Sequence, residues 1–316
     1  YKSLINEGNF SNDKKSPYKI NISGFTESKN IPKYKTPYFG NKDNNKKAVV
    51  AKHYITVNFF SFNEEVLKII KSVIPYVFAY HNFGTRQNKG FGCFTPKFYS
   101  FNGDRKDYDY DLEKILKKKS KVYKKKFNAR SNDHFDGLKK INESYKLIKS
   151  GDNYPKYKRA ELMTYLYEKN IRWEKVKIKS EIYKNDKKLF DQLKVDHPSK
   201  NKFTLDHGFE TARFARALLG LAEINEYSLN DGSFKVNIKD SKAEIERFPS
   251  PITFKVKDNE IYIFSNAIDE RMFNRKFTFD INRNISFQLK TPTKGEFNLE
   301  DFLNLALKNL DFKELN

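Results

Sequence analysis

The apolar pattern begins abruptly near residue 49. Residues 1–48 are polar, rich in Asn, Lys, Ser and Pro, and carry only the strand-like run Tyr18–Ile22, so they read as an extended N-terminal arm. Val49 to Phe59 is β-branched and aromatic and predicts a strand. Asn63 then stands as a helix cap, with Glu64 and Glu65 in the first turn. Val66, Leu67, Ile69, Ile70, Val73 and Ile74 follow at helical spacing, Pro75 is a point of bending, and the helix ends near Tyr80. A glycine-rich loop comes next, and Cys93–Phe101 alternates as a strand.

The pattern changes over 102–160. Lysines crowd residues 114–126, and Ile115, Leu116, Val122 and Phe127 are too sparse for a deep core. This segment is expected to be an exposed basic helical insertion with its tip around 128–137. Leu162, Tyr165, Leu166 and Ile171 suggest a helix, and Trp173–Ile178 a strand. Phe209–Ile224 has helical spacing, and strand-like pieces follow at Phe234–Ile238, Ile252–Val256, Ile261–Phe264 and Phe277–Phe287. Leu299–Leu310 closes the chain as an amphipathic helix. The alternation lacks the regular repeat of a barrel, so the expected class is α+β, with two small sheets each covered by helices on one face.

Charge narrows the function. The 316 residues carry 61 Lys+Arg against 40 Asp+Glu, a net charge of +21. Such a field attracts polyanions, nucleic acid first among them. Aromatic content of 16% is ample for a core and for base stacking. The single cysteine, Cys93, rules out an internal disulfide and suits a reducing cytoplasm. No apolar run reaches the roughly 18 residues of a membrane span. The lack of an initiator Met reads as a trimmed piece of a longer product.

The loop Gly84-Thr85-Arg86-Gln87-Asn88-Lys89-Gly90-Phe91-Gly92 is the sharpest chemical feature. Its glycines allow positive φ and close backbone approach, Arg86 and Lys89 add charge, and Gln87 and Asn88 add amide donors. These are the parts of a phosphate cradle; the plain alternative is a tight turn with incidental charge. No Gly-Lys-Ser/Thr opens a helix after the loop, which argues against a triphosphate loop. Feeding a strand rather than a helix argues against a dinucleotide fingerprint. Lys118, Lys121 and Lys125 in the basic segment are candidate RNA-tracking residues, although such runs are as often simply solvated. The five histidines (53, 81, 134, 197 and 207) show no metal-ligand spacing. His81, just before the loop, is the one weak candidate for a catalytic group; no cofactor and no metal are expected.

Arg86-Gln87-Asn88-Lys89-Gly90-Phe91-Gly92 resembles the glycine-rich loop of the RAMP superfamily, subunits of CRISPR ribonucleoproteins. The wording is closest to the Cmr-type subunit at the head of type III complexes. Glu246-Arg247-Phe248-Pro249-Ser250-Pro251-Ile252 is similar to a segment of the same group, and the Arg213/Arg216 stretch ending at Gly220 is a weaker echo. The resemblance implies two ferredoxin-like (RRM-like) units, 49–156 with the loop and the insertion, and 157–316. It also implies guide RNA, target RNA and other CRISPR subunits as partners, with Arg86 and Lys89 on phosphate and Gly90 and Gly92 letting the chain approach; Arg213, Arg216 and Arg247 are further candidate RNA-binding residues. A metal-independent endoribonuclease that processes guide RNA is the alternative. Those enzymes usually carry the loop near the C-terminus, whereas here it lies in the first third.

Overall fold

The computed structural model describes residues 19–23, 55–84, 86–101, 103–119, 121–128, 135–152, 156–193, 212–228, 233–282 and 284–315. The expected strand over 49–59 is therefore described only in its later part, and His53, His134, His197 and His207 lie outside the described residues. Strand β1 (Lys19–Ser23) pairs antiparallel with β2 (Thr56–Phe60). Helix α1 (Glu64–Tyr80) starts as expected, with the Asn63 side chain accepting from the Glu65 amide at 2.9 Å, and it runs through Pro75. The loop follows. The next strand is shorter than the sequence suggests: β3 (Phe98–Phe101) forms a hairpin with β4 (Asp104–Asp107).

The lysine-rich segment departs from expectation. It is not one exposed helical insertion but a short helix α2 (Leu112–Leu116) followed by strand β5 (Val122–Lys126). Leu112, Leu116 and Val122 are fully buried against Tyr262 and Phe264. The lysine stems flank the strand while their ammonium groups reach acceptors: Lys124 to Glu113 at 2.8 Å, Lys125 to the Leu310 carbonyl at 2.5 Å. Two apolar side chains in the right register thus hold a strand that charge density disguises.

Beyond β5 come α3 (Phe135–Lys149), α4 (Glu161–Glu168), the two-residue strand β6 (Arg172–Trp173), α5 (Glu174–Asn185) and α6 (Lys187–Gln192). The strand expected at Trp173–Ile178 is mostly helix α5. Trp-Glu-Lys-Val-Lys-Ile alternates locally, but Glu174, Ile178 and Ile182 are buried at spacings of four, which is the helical period. The helix expected over 209–224 is also replaced. Its described part is β7 (Ala212–Arg213), a 3-10 turn at Ala215–Leu219 and the start of β8 (Ile224–Ser228). Strands β9 (Ser233–Asp240), β10 (Ile252–Lys257), β11 (Glu260–Ser265), β12 (Lys276–Asn282) and β13 (Ile285–Lys290) follow. Helix α7 (Leu299–Asn309), capped by Asn298, and β14 (Lys313–Glu314) end the described chain.

Two four-stranded antiparallel sheets organise these elements into an α+β molecule. The first has the order β10-β11-β5-β14, one strand from before residue 157 and three from after it. Alternation along its strands sends Phe254, Ile263 and Tyr123 to one face, where α3 and α7 supply Ile141, Phe302 and Leu307. Tyr262, Phe264 and Val122 face α1 and α2 on the other side. Both faces are covered. The second sheet, β13-β12-β9-β8, buries Val236, Ile238, Phe277 and Phe279 under Phe214 and Leu218, while Lys235, Asn237 and Lys239 point to solvent. No helix of the described residues is long and apolar enough to cross a membrane.

Candidate nucleic-acid interface

The end of α1 aims the loop. Lys255, buried in β10, donates to the Phe78 and His81 carbonyls at 2.5 and 2.7 Å, meeting acceptors the last helical turn leaves open. Asn82, also buried, donates through Nδ2 to the Gln87 carbonyl at 2.5 Å and the Phe254 carbonyl at 2.9 Å. The Phe83 amide donates to the Gly92 carbonyl at 3.0 Å and closes the loop base. Inside, Lys89 N–H donates to the Arg86 carbonyl at 2.8 Å, with Arg86 itself at φ 57°.

The loop is sewn onto the free edge of β10. Lys89 forms a parallel bridge with Phe254, and the Phe254 amide donates to the Asn88 carbonyl at 3.2 Å. Asn88 Nδ2 donates to the Ser250 carbonyl at 2.5 Å, so this expected RNA donor instead braces the loop. Two glycines are forced by geometry. A Cβ on Gly92 (φ 68°) would lie 1.7 Å from the Phe83 carbonyl oxygen, and one on Gly90 (φ 79°) would lie 2.5 Å from Ile141 Cδ1. Their role is to let the backbone fold tightly.

What the braced loop presents is Arg86, Gln87 and Lys89. Lys89 Nζ sits 4.4 Å from the Tyr145 ring centroid, and Lys149, one helical turn further along α3, reaches the Gly220 carbonyl at 2.5 Å. Tyr145 donates its hydroxyl to the Leu219 carbonyl at 3.0 Å. Burial lowers the Lys89 pKa, helped by neighbouring Arg86. Burial, then Arg216 and Lys89, pull Lys149 down to about 7. Arg216 is buried, ion-paired with Glu174 and bonded to the Tyr227 hydroxyl at 2.5 Å. Its burial works against its charge, but Glu174 and the Tyr227 hydroxyl together outweigh that and hold its pKa above the ordinary value. Glu174 thus acts on both Arg216 and Lys149, while Lys89 adds a further positive charge beside Lys149.

Segments far apart in sequence converge here. Asn88 bonds Ser250, a Cβ on Gly220 would lie 3.4 Å from the Ser250 nitrogen, and Leu221 bridges Phe248. The loop, the stretch ending at Gly220 and the 246–252 segment therefore form one surface, with Arg247 exposed beside it. Other sequence candidates are engaged elsewhere. Arg216 is internal, and Arg213 makes a forked ion pair with Glu296 at 2.8–3.1 Å. Lys121 pairs with Glu300 at 2.5 Å and Lys125 with the end of α7, on a strand that β11 separates from β10. Lys118 bonds the Tyr76 hydroxyl at 3.0 Å on the outer side of α1. The His81 side chain is exposed. Sequence reading missed Tyr145 and Lys149; their i, i+4 spacing on α3 was the available signal, without any hint that α3 backs the loop.

The basic glycine loop is locked to a sheet edge with the 213–220 and 246–252 segments packed around it, so the three stretches that resemble RAMP-type CRISPR subunits meet on one surface. Among family models, the Cmr1 N-terminal domain matches residues 2–152 and the Cmr1 C-terminal domain matches residues 157–315. The chain belongs to the Cmr1 family, subunits of the type III CRISPR Cmr complex. Neither a curated protein nor a solved structure shows significant similarity to it.

Proposed function

We propose that this Cmr subunit grips the sugar-phosphate backbone of RNA with its glycine loop. Arg86 and Lys89 contact phosphate oxygens, and Lys149 supports them from below. The observation that carries this reading is the gathering of Lys89, Lys149 and the internal Arg216, with Glu174 paired to Arg216 and Lys89 left facing outward over Tyr145. A phosphate entering there offsets charge that burial has already stripped of water. Guide RNA, target RNA and neighbouring Cmr subunits are the partners on this reading, and the cytoplasm is the place of work. Endonuclease chemistry gains no support, because among the described residues the His81 side chain has no polar partner to orient it for proton transfer.

The test is RNA binding by the chain with Arg86→Ala and Lys89→Ala. Affinity should fall by about 1–3 kcal/mol per lost charged contact. Unchanged affinity, with the circular dichroism intact, would remove the loop from the RNA site. Cleavage of labelled repeat RNA in chelator, abolished by His81→Ala, would establish the endonuclease instead.

A further inference from the structure

A second basic site lies at one end of the second sheet. Lys276 opens β12 and Lys290 closes β13, and the two are direct cross-strand partners, both exposed. Like charges directly opposite each other in an antiparallel pair repel and destabilise it. Neither lysine has an acidic partner among the described residues. The neighbouring carboxylates are committed: Asp240 clamps Arg275 at 2.7 and 2.5 Å, Glu244 bonds Arg275 at 2.8 Å, and Asp269 pairs with Arg271 at 2.6 Å. Asp240 is itself fixed by the Glu244 and Ile245 amides at 2.8 and 3.1 Å.

Between these groups opens a pocket of about 320 Å³, lined by Lys242, Arg271, Arg275, Lys276, Lys290 and the Phe273 ring, with Asn274. Five cations therefore meet three carboxylates. Arg275 is rigidly braced, which pre-positions its charge, while the two lysines keep mobile ammonium groups. The pocket has room for a phosphate with its sugar, and Phe273 offers an apolar wall to the sugar or base.

We infer that this pocket binds backbone phosphate of single-stranded RNA, a second grip in addition to the glycine loop. The inference rests on the RNA-binding reading of the chain. The repulsion between Lys276 and Lys290 is retained because an anion relieves it when bound.

The test is Lys276→Thr with Lys290→Thr, since threonine suits a strand and removes the repulsion. The variant should unfold at the same temperature as the parent or higher. Its affinity for a labelled single-stranded RNA should drop, and its log-log salt slope should flatten by about 1.4, two contacts at about 0.7 each. An affinity and slope equal to the parent's, in a parent that does bind RNA, would overturn the pocket and leave the loop standing. A parent with no RNA binding at low salt would overturn both. RNA held in 10 mM inorganic phosphate at constant ionic strength is the expected result in a competing arm. Loss of only the pocket's contribution there would reassign the pocket to free phosphate and overturn the RNA assignment.

Discussion

Lys149 is the residue whose behaviour follows most directly from its surroundings. Buried beside Arg216 and Lys89, it titrates near 7, so at neutral pH it is only partly charged. A phosphate arriving at Lys89 favours the charged form and raises that pKa, so binding takes up a proton. By linkage, affinity is then greatest below pH 7 and falls as pH rises through 7, by at most about tenfold per pH unit. RNA titrations between pH 6 and 8.5 at fixed ionic strength should show that decline, and Lys149→Gln should flatten it. A parent profile that is already flat across this range would exclude Lys149 from the site.

At the level of elements, the loop depends on how α1 ends against β10. Lys255 joins the two, spending a buried ammonium on the Phe78 and His81 carbonyls. Replacing it by Met keeps the volume but strands those acceptors, and should cost about 2 kcal/mol in urea unfolding. A loss under about 0.5 kcal/mol would show that the helix end needs no such tie. The sequence displayed parts of this plan and hid others. Helix α1 was legible because the 3.6 period follows the Asn63 cap, and α7 because its apolar positions keep that period over 299–310. The glycine loop was legible because its glycines and cations are contiguous. Strand β5 was hidden because only Val122 and Tyr123 face the core, amid lysines whose stems pass as solvated charge. Helix α5 was misread because the short alternation Lys175–Ile178 overlaps the buried helical spacing of Glu174, Ile178 and Ile182. The partnership of Lys149 with Lys89 was invisible, since it exists only once α3 packs under the loop.

For the whole molecule, the covering of both faces of the first sheet limits how RNA would lie on it under the proposed reading. Tyr123, Tyr262 and Phe264 are buried, so bases cannot stack on that sheet as they do on an open RNA-recognition sheet. The remaining route uses edges and sites of charge: the loop on the β10 edge, and the pocket at Lys276 and Lys290 on the other sheet. Contacts of this kind read phosphate rather than base edges, so recognition should tolerate sequence. Two separate proposed grips on one continuous core also make RNA length a variable. A strand too short to span them engages one at a time, whereas a spanning strand engages the second at high effective concentration. Affinity for homopolymer RNAs of increasing length should therefore step upward at one threshold length, instead of rising in simple proportion to the number of registers. Poly(U) and poly(A) should share the threshold. The Arg86/Lys89 and Lys276/Lys290 double variants should each erase the step while retaining weak binding of short strands. Titration of oligomers from 4 to about 24 nucleotides, a range that brackets the site sizes of single-strand binders, reads this directly. A smooth rise with length in the parent, matched by both variants, would show that the two sites do not act on one strand.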